Sequence, residues 1–214
     1  MKVTIIYDNV AFQEGLIADW GFACLVEVYD RTILFDTGAN GPILLGNMKK
    51  LNIDPESIDD VIISHAHWDH TGGLSDFLRE NNAVSLYVPL SYPVSSNAAK
   101  NVIQVKESTK IHENIFSTGE LEGIEQSLVV NTAKGLVVIA GCSHPGVRNI
   151  LKAASIYGRI SALIGGLHGF NELDVIKDLD LICATHCTQY IPEIKSRYPD
   201  KYIQGGAGQV IDIL

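Results

Sequence analysis

Four side chains able to bind a metal ion lie within six residues of one another, directly after a short apolar run. The segment is His65-Ala66-His67-Trp68-Asp69-His70, and it follows Val61-Ile62-Ile63-Ser64. Side chains alternate along an extended chain, so His65 and His67 point to the same side. A turn after them lets Asp69 and His70 face a second point in space. Because imidazole and carboxylate groups suit zinc and related divalent cations, the segment predicts two neighbouring metal sites. A histidine-rich surface loop is the alternative interpretation.

The composition is that of a globular protein whose partner is a small-molecule substrate. The chain has 214 residues, of which 46% are hydrophobic and 19% charged, and this is enough apolar material for one domain over residues 1–214. The net charge of −9 and the lack of a basic run argue against nucleic acid as a partner, since phosphate contacts need clustered Lys and Arg. Assembly into a homo-oligomer stays open.

The sequence gives no reason to expect a membrane protein or a disulfide-bonded one. No apolar stretch approaches the length of a membrane-spanning helix, and Met1-Lys2 leads directly into strand-like residues 3–7. The four cysteines, Cys24, Cys142, Cys183 and Cys187, lack the spacing of a disulfide framework. We therefore expect a cytoplasmic protein that does not bind a membrane.

Runs of β-branched and aromatic residues between turn signals predict many short strands. These strands cover residues 3–7, 22–29, 32–35, 85–88, 102–106, 111–117, 127–131, 136–140, 162–164, 181–184 and 209–213, and a further strand delivers the metal-binding segment. Helices are expected over residues 41–51, 74–79, 146–157, 173–177 and 191–197, with an irregular segment over 89–100. Strands and helices in this order favour two sheets with helices on their outer faces.

The metal-binding segment and the Thr71-Gly72-Gly73-Leu74 that follows it resemble the signature of the metallo-β-lactamase superfamily. Other segments resemble further motifs of this superfamily, namely Tyr7-Asp8-Asn9 and residues 33–38, 141–146, 165–168, 185–188 and 205–208. The motifs at 141–146, 165–168 and 185–188 are similar to one branch, the dihydropterin-ribofuranosyl-aminobenzene-phosphate synthase-like proteins. The resemblance implies an α+β fold, a four-layer αββα sandwich of two mixed β-sheets with helices on the outer faces. The site would then lie at one edge between the sheets.

Six of the seven histidines lie in these motifs, and the resemblance implies a set of metal ligands. The implied ligands are His65, His67, Asp69, His70, His144 and His186. His65 and His67 would hold the first ion, and Asp69 and His70 the second. For His144 the alternative is a histidine at a helix entry, before Pro145-Gly146. For His186 it is a core histidine satisfied by the backbone.

The sequence departs from the superfamily pattern where a carboxylate usually bridges the two ions. That pattern has a separate histidine and then a Gly-Asp pair, but this chain has only His112 in the interval and reads Gly141-Cys142 in place of Gly-Asp. Either His144 replaces the missing histidine and no carboxylate bridges the ions, or Cys142 binds as a thiolate. A small buried apolar role for Cys142 is slightly favoured over ligation.

Six residues outside the ligand set receive other roles. His168, in a glycine-rich loop, is expected to contact the substrate or the transition state rather than a metal ion, and Phe170 is expected to bind the substrate. Asp36 either orients a ligand histidine or caps its loop. His112 is expected at an exposed strand position. Phe12 and Trp20 either wall the substrate pocket or pack in the core.

The ligand set implies a metal-dependent hydrolase with two divalent metal ions, zinc first and iron or manganese as alternatives. A metal-activated hydroxide would attack a small phosphate-containing substrate, an ester or a lactone. Asp69 and His168 are the candidate catalytic residues, Asp69 as general base and His168 as a group that stabilises charge or protonates the leaving group. The alternatives are a pterin-linked synthase of methanopterin-type biosynthesis and a non-catalytic, metal-containing ligand-binding protein. A diiron redox enzyme is disfavoured, because such enzymes resemble a pattern with Glu at position 67 and carry a flavin domain.

Overall fold

The computed structural model describes residues 1–93 and 99–213 of the chain, so the expected irregular segment 89–100 lies partly outside the described residues. Its strands are β1 (Lys2–Tyr7), β2 (Ala23–Val28), β3 (Arg31–Phe35), β4 (Asp60–Ile62), β5 (Ser85–Pro89), β6 (Asn101–Val105), β7 (Thr109–His112), β8 (Ile115–Ser117), β9 (Leu128–Thr132), β10 (Gly135–Ala140), β11 (Ile160–Gly166), β12 (Leu181–Thr185) and β13 (Val210–Asp212). Its α-helices are α1 (Gly41–Lys50), α2 (Trp68–Thr71), α3 (Leu74–Glu80), α4 (Val147–Ala154) and α5 (Ile191–Arg197). Short 3₁₀ turns cover Pro55–Ser57, Ser155–Tyr157 and Leu173–Ile176.

The described strands form two mixed sheets. The first has the order β13-β1-β2-β3-β4-β5-β6, and the second has the order β12-β11-β10-β9-β8-β7. In the first sheet β1, β2 and β3 are antiparallel, whereas β3 to β6 are parallel. In the second sheet β10, β11 and β12 are parallel, whereas β7 to β10 are antiparallel. The carboxyl ends of β4, β10 and β12 carry the three ligand segments.

Alternating apolar residues bury both faces of each sheet. In β10, Val137 and Ile139 lie between the sheets, where they belong to the same buried cluster as Val3 and Ile5 of β1. The intervening residues of β10 face outward and share a second cluster with apolar residues of α4 and with Ile194 of α5. A third cluster joins the outer face of the first sheet to α1 and α3. Period-two alternation therefore builds four layers, and the predicted αββα sandwich is confirmed.

Three predicted elements differ from the observed ones. The predicted helix 173–177 is only a 3₁₀ turn over Leu173–Ile176. The predicted strand 111–117 is a hairpin of β7 and β8, because Asn114 adopts a left-handed φ of 63° that an extended strand cannot contain. The predicted helix 146–157 ends as an α-helix at Ala154 and continues only as a 3₁₀ turn.

His112 is not the exposed strand residue that the sequence predicts. It is partly buried at the end of β7, and its Nε2 lies 2.6 Å from Oδ2 of Asp60 in β4. The two residues belong to different sheets, so this contact ties the layers together near the edge of the core. Contacts between residues 52 positions apart leave no local signal in the sequence.

Among the described residues, no helix has the length and apolar character needed to cross a membrane.

Candidate metal centre

Three histidine nitrogens face one another at one end of the sandwich. Nδ1 of His67 lies 3.0 Å from Nε2 of His65 and 3.1 Å from Nε2 of His144. Ligands placed 2.0–2.1 Å from a tetrahedral zinc ion are separated by about 3.3 Å. The observed spacing is close to this value, and a neutral imidazole has only one N–H to offer. The three nitrogens therefore fit a cation held between them, which we call the His₃ group.

A second group of ligand atoms lies beside the first. It consists of Asp69, His70, Cys142 and His186, one ligand atom each, and these atoms lie within 4.8 Å of one another. Nε2 of His70 is 3.1 Å from Sγ of Cys142, and Nε2 of His186 is 3.4 Å from Oδ2 of Asp69. Nε2 of His186 is buried and has no hydrogen-bond partner among the described residues. A buried polar atom without a partner is costly, so this nitrogen is placed as a ligand for a cation. We call these four residues the mixed group.

Short elements and turns aim these side chains into the centre. His65 follows β4, and α2 places Asp69 and His70 one turn further along, so that they join a different group from His65 and His67. The helix α2 is thus the turn after His67 that the sequence predicted. His144 follows β10 and His186 follows β12, and both β-strands lie in the opposite sheet. The centre thus lies at one edge, between the two sheets.

Two side chains, those of Asp36 and Ser64, fix the ring orientation of two ligand histidines. Oδ2 of Asp36 is 2.7 Å from Nδ1 of His70, and Oγ of Ser64 is 2.9 Å from Nδ1 of His65. In His70 and in His65, Nδ1 thereby makes a hydrogen bond, and Nε2 is left to bind a metal ion. Asp36 also accepts hydrogen bonds from the backbone N–H and the hydroxyl of Ser64, both at 2.7 Å. Of the two roles left open for Asp36, the structure therefore favours the orientation of a ligand.

Asn9 performs the same task for His186. Its Oδ1 lies 3.0 Å from Nδ1 of His186, and its Nδ2 donates to the backbone carbonyl of His186 at 2.9 Å. The contact joins the end of β1 to the end of β12, across 177 positions of sequence. A fixed ring places Nε2 of His186 toward Asp69.

Glu125 holds the loop that carries Cys142 and His144. Its side chain is fully buried, and Oε1 accepts hydrogen bonds from the backbone N–H groups of Gly141, Cys142 and Ser143 at 3.0–3.1 Å. Oε2 accepts the N–H of His144 at 2.9 Å. Four converging N–H groups form an anion-binding nest around a carboxylate of the same chain. Glu125 therefore sets the backbone position of one residue from each group.

Left-handed backbone conformations gather at the centre. Asp36, Ser143, His168 and His186 have φ values of 57°, 60°, 48° and 52°. Such conformations are disfavoured for residues with a Cβ and persist where the surrounding structure imposes them, often at functional sites. The other five described non-glycine residues with a left-handed φ lie in turns elsewhere, so four of nine such conformations fall at this edge.

The electrostatic environment favours the metal-binding form of three ligand groups, His65, His144 and Asp69. Burial, together with the neighbouring rings, lowers the pKa of His65. Burial and the nearby His67 and His168 rings lower the pKa of His144 to about 4, so this imidazole is neutral at neutral pH. Burial tends to raise the pKa of Asp69, but the adjacent His186 imidazole at 3.4 Å and the charge of His70 outweigh it, so the pKa falls below its usual range. A carboxylate with a lowered pKa is a better ligand than proton acceptor.

Trp20 belongs to the centre and not to the core. Its side chain is 51% exposed, and its Nε1–H donates to Oδ2 of Asp69 at 3.0 Å. The indole also lies against His186, with ring centroids 5.4 Å apart. Phe12 is equally exposed, so core packing is the wrong interpretation for both residues. The indole N–H fixes which way the Asp69 carboxylate points.

Replacing Trp20 by phenylalanine is expected to weaken zinc binding by about 10-fold, because the carboxylate of Asp69 loses the partner that orients it. Competition with a chromophoric chelator measures the dissociation constant. Trp68→Phe is the matched control, because this second tryptophan is 63% exposed and stands in the same segment as the ligands. Equal zinc affinity in Trp20→Phe and in the unchanged protein would show that the hydrogen bond orients nothing.

A cavity of about 430 Å³ opens beside His144. Its lining includes His168, Phe170, Arg148, Asn149 and Asn171. The ring of His168 is exposed and lies 5.2 Å from that of His144, centroid to centroid, and His168 belongs to neither ligand group. The structure thus places both predicted substrate-binding residues, His168 and Phe170, in one cavity next to the centre. Their roles stay predictions.

The six residues predicted as ligands come together in the two groups, and sequence reasoning missed several of their neighbours. Cys142 is buried as predicted, but its Sγ lies among ligand atoms, which favours the thiolate alternative over a purely apolar role. Asn9 stands in a segment that the resemblance had singled out, although without a role. Glu125 gave no signal, because a single carboxylate in a polar segment has no distinctive spacing.

Comparisons with known proteins agree with this geometry. The profile of the Metallo-beta-lactamase superfamily matches residues 21–151. A 7,8-dihydropterin-6-methyl-4-(beta-D-ribofuranosyl)-aminobenzene-5'-phosphate synthase of Methanocaldococcus jannaschii is 27% identical, and the match covers 97% of this chain and 95% of the relative. An uncharacterized protein of the same organism is 26% identical, over 99% of this chain and 100% of the relative.

Solved structures give the same result. A metal-dependent hydrolase of the beta-lactamase superfamily superposes with a TM-score of 0.81 at 28% identity, over 100% of this chain and 99% of the other. A Zn²⁺-bound protein from Methylobacterium extorquens has a TM-score of 0.63 over the full length of both chains, but at 13% identity it supports the fold alone.

Proposed function

This chain belongs to the metallo-beta-lactamase superfamily, and on that premise we propose that it is a metal-dependent hydrolase acting on a small phosphate-containing or ester substrate. The observation that carries the proposal is the convergence of three histidine nitrogens at 3.0–3.1 Å beside a buried, unpartnered Nε2 of His186. The solved hydrolase that is 28% identical supports the same reaction class.

The two groups of residues would hold two divalent metal ions, with zinc as the first choice. His65, His67 and His144 offer only imidazole nitrogens, a donor set that zinc favours. The mixed group adds a carboxylate and a thiol to two imidazoles, so zinc or iron suits it better than magnesium or calcium. A divalent metal bound there would lower the pKa of a bound water to about 7 and would polarise an oxygen of the substrate.

The remaining steps fall to residues of the chain. Asp69 orients the mixed group through its contacts with His186 and Trp20, and its general-base role stays a prediction because its lowered pKa favours ligation. His168 lies at the boundary between the centre and the cavity, where its imidazole can donate a proton to the leaving group or hold a developing negative charge.

The cavity supports a small substrate with an anionic group. Its volume lies near the lower end of the range of about 300–1,000 Å³ that is typical of small-molecule sites. The His168 imidazole, the side-chain amide of Asn171 and the Arg148 guanidinium, which pairs with Glu172 of the same lining at 2.5 Å, supply hydrogen-bond donors. Phe170 supplies an apolar surface against which a planar group can pack.

A pterin-linked synthase of methanopterin-type biosynthesis is the second candidate. The relative from M. jannaschii carries this activity in its name and matches nearly the whole chain. Its product contains a phosphate and two planar rings, which agrees with a cavity that offers donors and an aromatic side chain. In that case the centre would serve the joining of a dihydropterin to a ribofuranosyl-aminobenzene 5'-phosphate, and hydrolysis would be weak or absent.

The experiment is a turnover assay on protein of known metal content. Phosphomonoesters, phosphodiesters and lactones are offered to metal-loaded protein, to chelator-treated protein and to His67→Ala. We expect hydrolysis by the metal-loaded protein and its loss in the chelator-treated protein and in His67→Ala, with circular dichroism showing an unchanged fold.

Other outcomes would favour other functions. Product formation from the pterin and the aminobenzene phosphate, without hydrolysis of any ester, would favour the synthase. Tight binding without turnover in either assay would identify a ligand-binding protein, and undiminished hydrolysis by His67→Ala would contradict the proposal.

A further inference from the structure

Two cysteines from different loops meet beside the mixed group. Sγ of Cys142 lies 3.2 Å from Sγ of Cys187, and Sγ of Cys142 is also 3.1 Å from Nε2 of His70. Cys187 is partly exposed, whereas Cys142 is buried. We propose that Cys142 and Cys187 are a modification site, at which hydrogen peroxide forms a reversible disulfide that withdraws Cys142 from the mixed group.

The sheet topology brings the two thiols together. Cys142 follows β10 and Cys187 follows β12, and these strands flank β11 on its two sides. Gly166 at the end of β11 leaves the space in which they meet, since a Cβ at this position would lie 2.8 Å from Sγ of Cys187 and 3.3 Å from Cα of Cys142. A disulfide has an S–S distance of about 2.05 Å, so the sulfurs need to approach by little more than about 1 Å.

The other two cysteines differ in their surroundings. Cys24 and Cys183 are fully buried in the apolar cluster between the two sheets. Peroxide reaches thiols that solvent can reach, and oxidation is selective for exposed sulfur beside a second, resolving thiol. Only the pair at the centre has both features among the four cysteines, and the buried two serve as internal controls.

The reaction is a two-electron oxidation of the cysteines with peroxide as the electron acceptor. The Cys187 sulfur attacks one peroxide oxygen, so that an S–O bond forms, the O–O bond breaks, and the leaving hydroxide takes up a proton to give water. The Cys142 sulfur then attacks the sulfenic sulfur of Cys187, the S–S bond forms and the S–O bond breaks, and a second water leaves. Two thiols and one hydrogen peroxide thus give one disulfide and two waters. A thiol reductant reverses the change.

The location couples this chemistry to metal binding. A sulfur bonded to Cys187 is no longer a thiolate ligand, so the mixed group keeps Asp69, His70 and His186 but loses its fourth donor. Conversely, a cation held by Cys142 ties up the resolving sulfur. We expect the disulfide to lower the affinity of the mixed group by at least about 10-fold and leave the His₃ group unchanged. The thiol chemistry is independent of the proposed hydrolase activity, whereas this coupling rests on the metal centre.

The test is peptide mapping of the full chain after exposure to hydrogen peroxide. Free thiols are blocked, the protein is digested with trypsin without reductant, and the peptide masses are measured by mass spectrometry. Cys142 lies in peptide 135–148, and Cys187 lies in peptide 178–195 together with Cys183. We expect these two peptides to be linked, in the unchanged protein and in the control Cys183→Ala, and unlinked in Cys187→Ser. A reductant should restore both thiols.

Two further results decide the proposal. Chelator-treated protein should form the link at least about 10-fold faster than zinc-loaded protein, and the oxidised protein should bind one zinc ion fewer per chain. Two results would overturn the modification site. One is that the two peptides stay unlinked after peroxide treatment of the chelator-treated protein of unaltered sequence. The other is irreversible oxidation of Cys187 without a link. A link that forms equally fast with zinc present, and leaves the zinc content unchanged, would overturn the coupling. Neither outcome bears on the hydrolysis of esters.

Discussion

Replacing Asp69 by alanine is expected to lower turnover by about 10³-fold, which corresponds to on the order of 4 kcal/mol of transition-state stabilisation. The carboxylate is the only acidic ligand atom in the mixed group within the described residues, and it lies 3.4 Å from Nε2 of His186 and 3.8 Å from Nε2 of His70. Its loss removes the negative charge that offsets a divalent cation, so we expect the metal content to fall from two ions to one.

The Asp69→Ala variant should keep the fold, because residue 69 contributes to it through a backbone hydrogen bond that does not involve the side chain. Its carbonyl accepts a hydrogen bond from the N–H of Phe22 at 3.2 Å, and alanine keeps this contact. Elemental analysis, turnover and thermal unfolding are measured together, with Asp178→Ala as a control at an exposed position. Two bound ions and normal turnover in Asp69→Ala would remove Asp69 from the centre.

Replacing Glu125 by alanine is expected to destabilise the protein by about 3–5 kcal/mol, since it leaves four buried N–H groups without their acceptor. For a chain of this length such a loss lowers the melting temperature by about 10 °C. The loop that holds Cys142 and His144 loses its anchor, so zinc affinity should fall even below the melting transition.

Two variants separate this effect from a general loss of charge. Glu125→Gln keeps the shape and the Oε1 acceptor, so it should cost about 1–2 kcal/mol and retain most of the zinc affinity. Glu122→Ala removes an exposed carboxylate three residues away and should change neither quantity. Calorimetry and chelator competition measure both. A melting temperature within 2–3 °C of the unchanged protein for Glu125→Ala would contradict the anchoring role (on the scale of about 2–4 °C per kcal/mol).

Local patterns in the sequence were sufficient for the fold and for half of the centre. Runs of β-branched and aromatic residues between turn signals predicted the strands. Successive side chains of a strand face opposite sides, and so these runs fill the three buried clusters. His65, His67, Asp69 and His70 needed no tertiary information, because two extended residues and one turn decide which way four neighbouring side chains point. These patterns and the family resemblance together predicted the αββα sandwich, and the structure confirms it.

Tertiary packing decided everything that joins distant parts of the chain. Cys142 reads as a small buried residue, and only the approach of β10 to the end of α2 brings its sulfur to His70. The sequence left Trp20 either in a pocket wall or in the core, and only the structure shows it half exposed and donating to Asp69. Glu125 has no pattern at all, and its role exists only because a loop 16 to 19 residues later turns four N–H groups toward it. The sequence determines which faces are buried, since that depends on period and hydrophobicity; which polar atoms meet depends on how two sheets stack, and that is a property of the whole core.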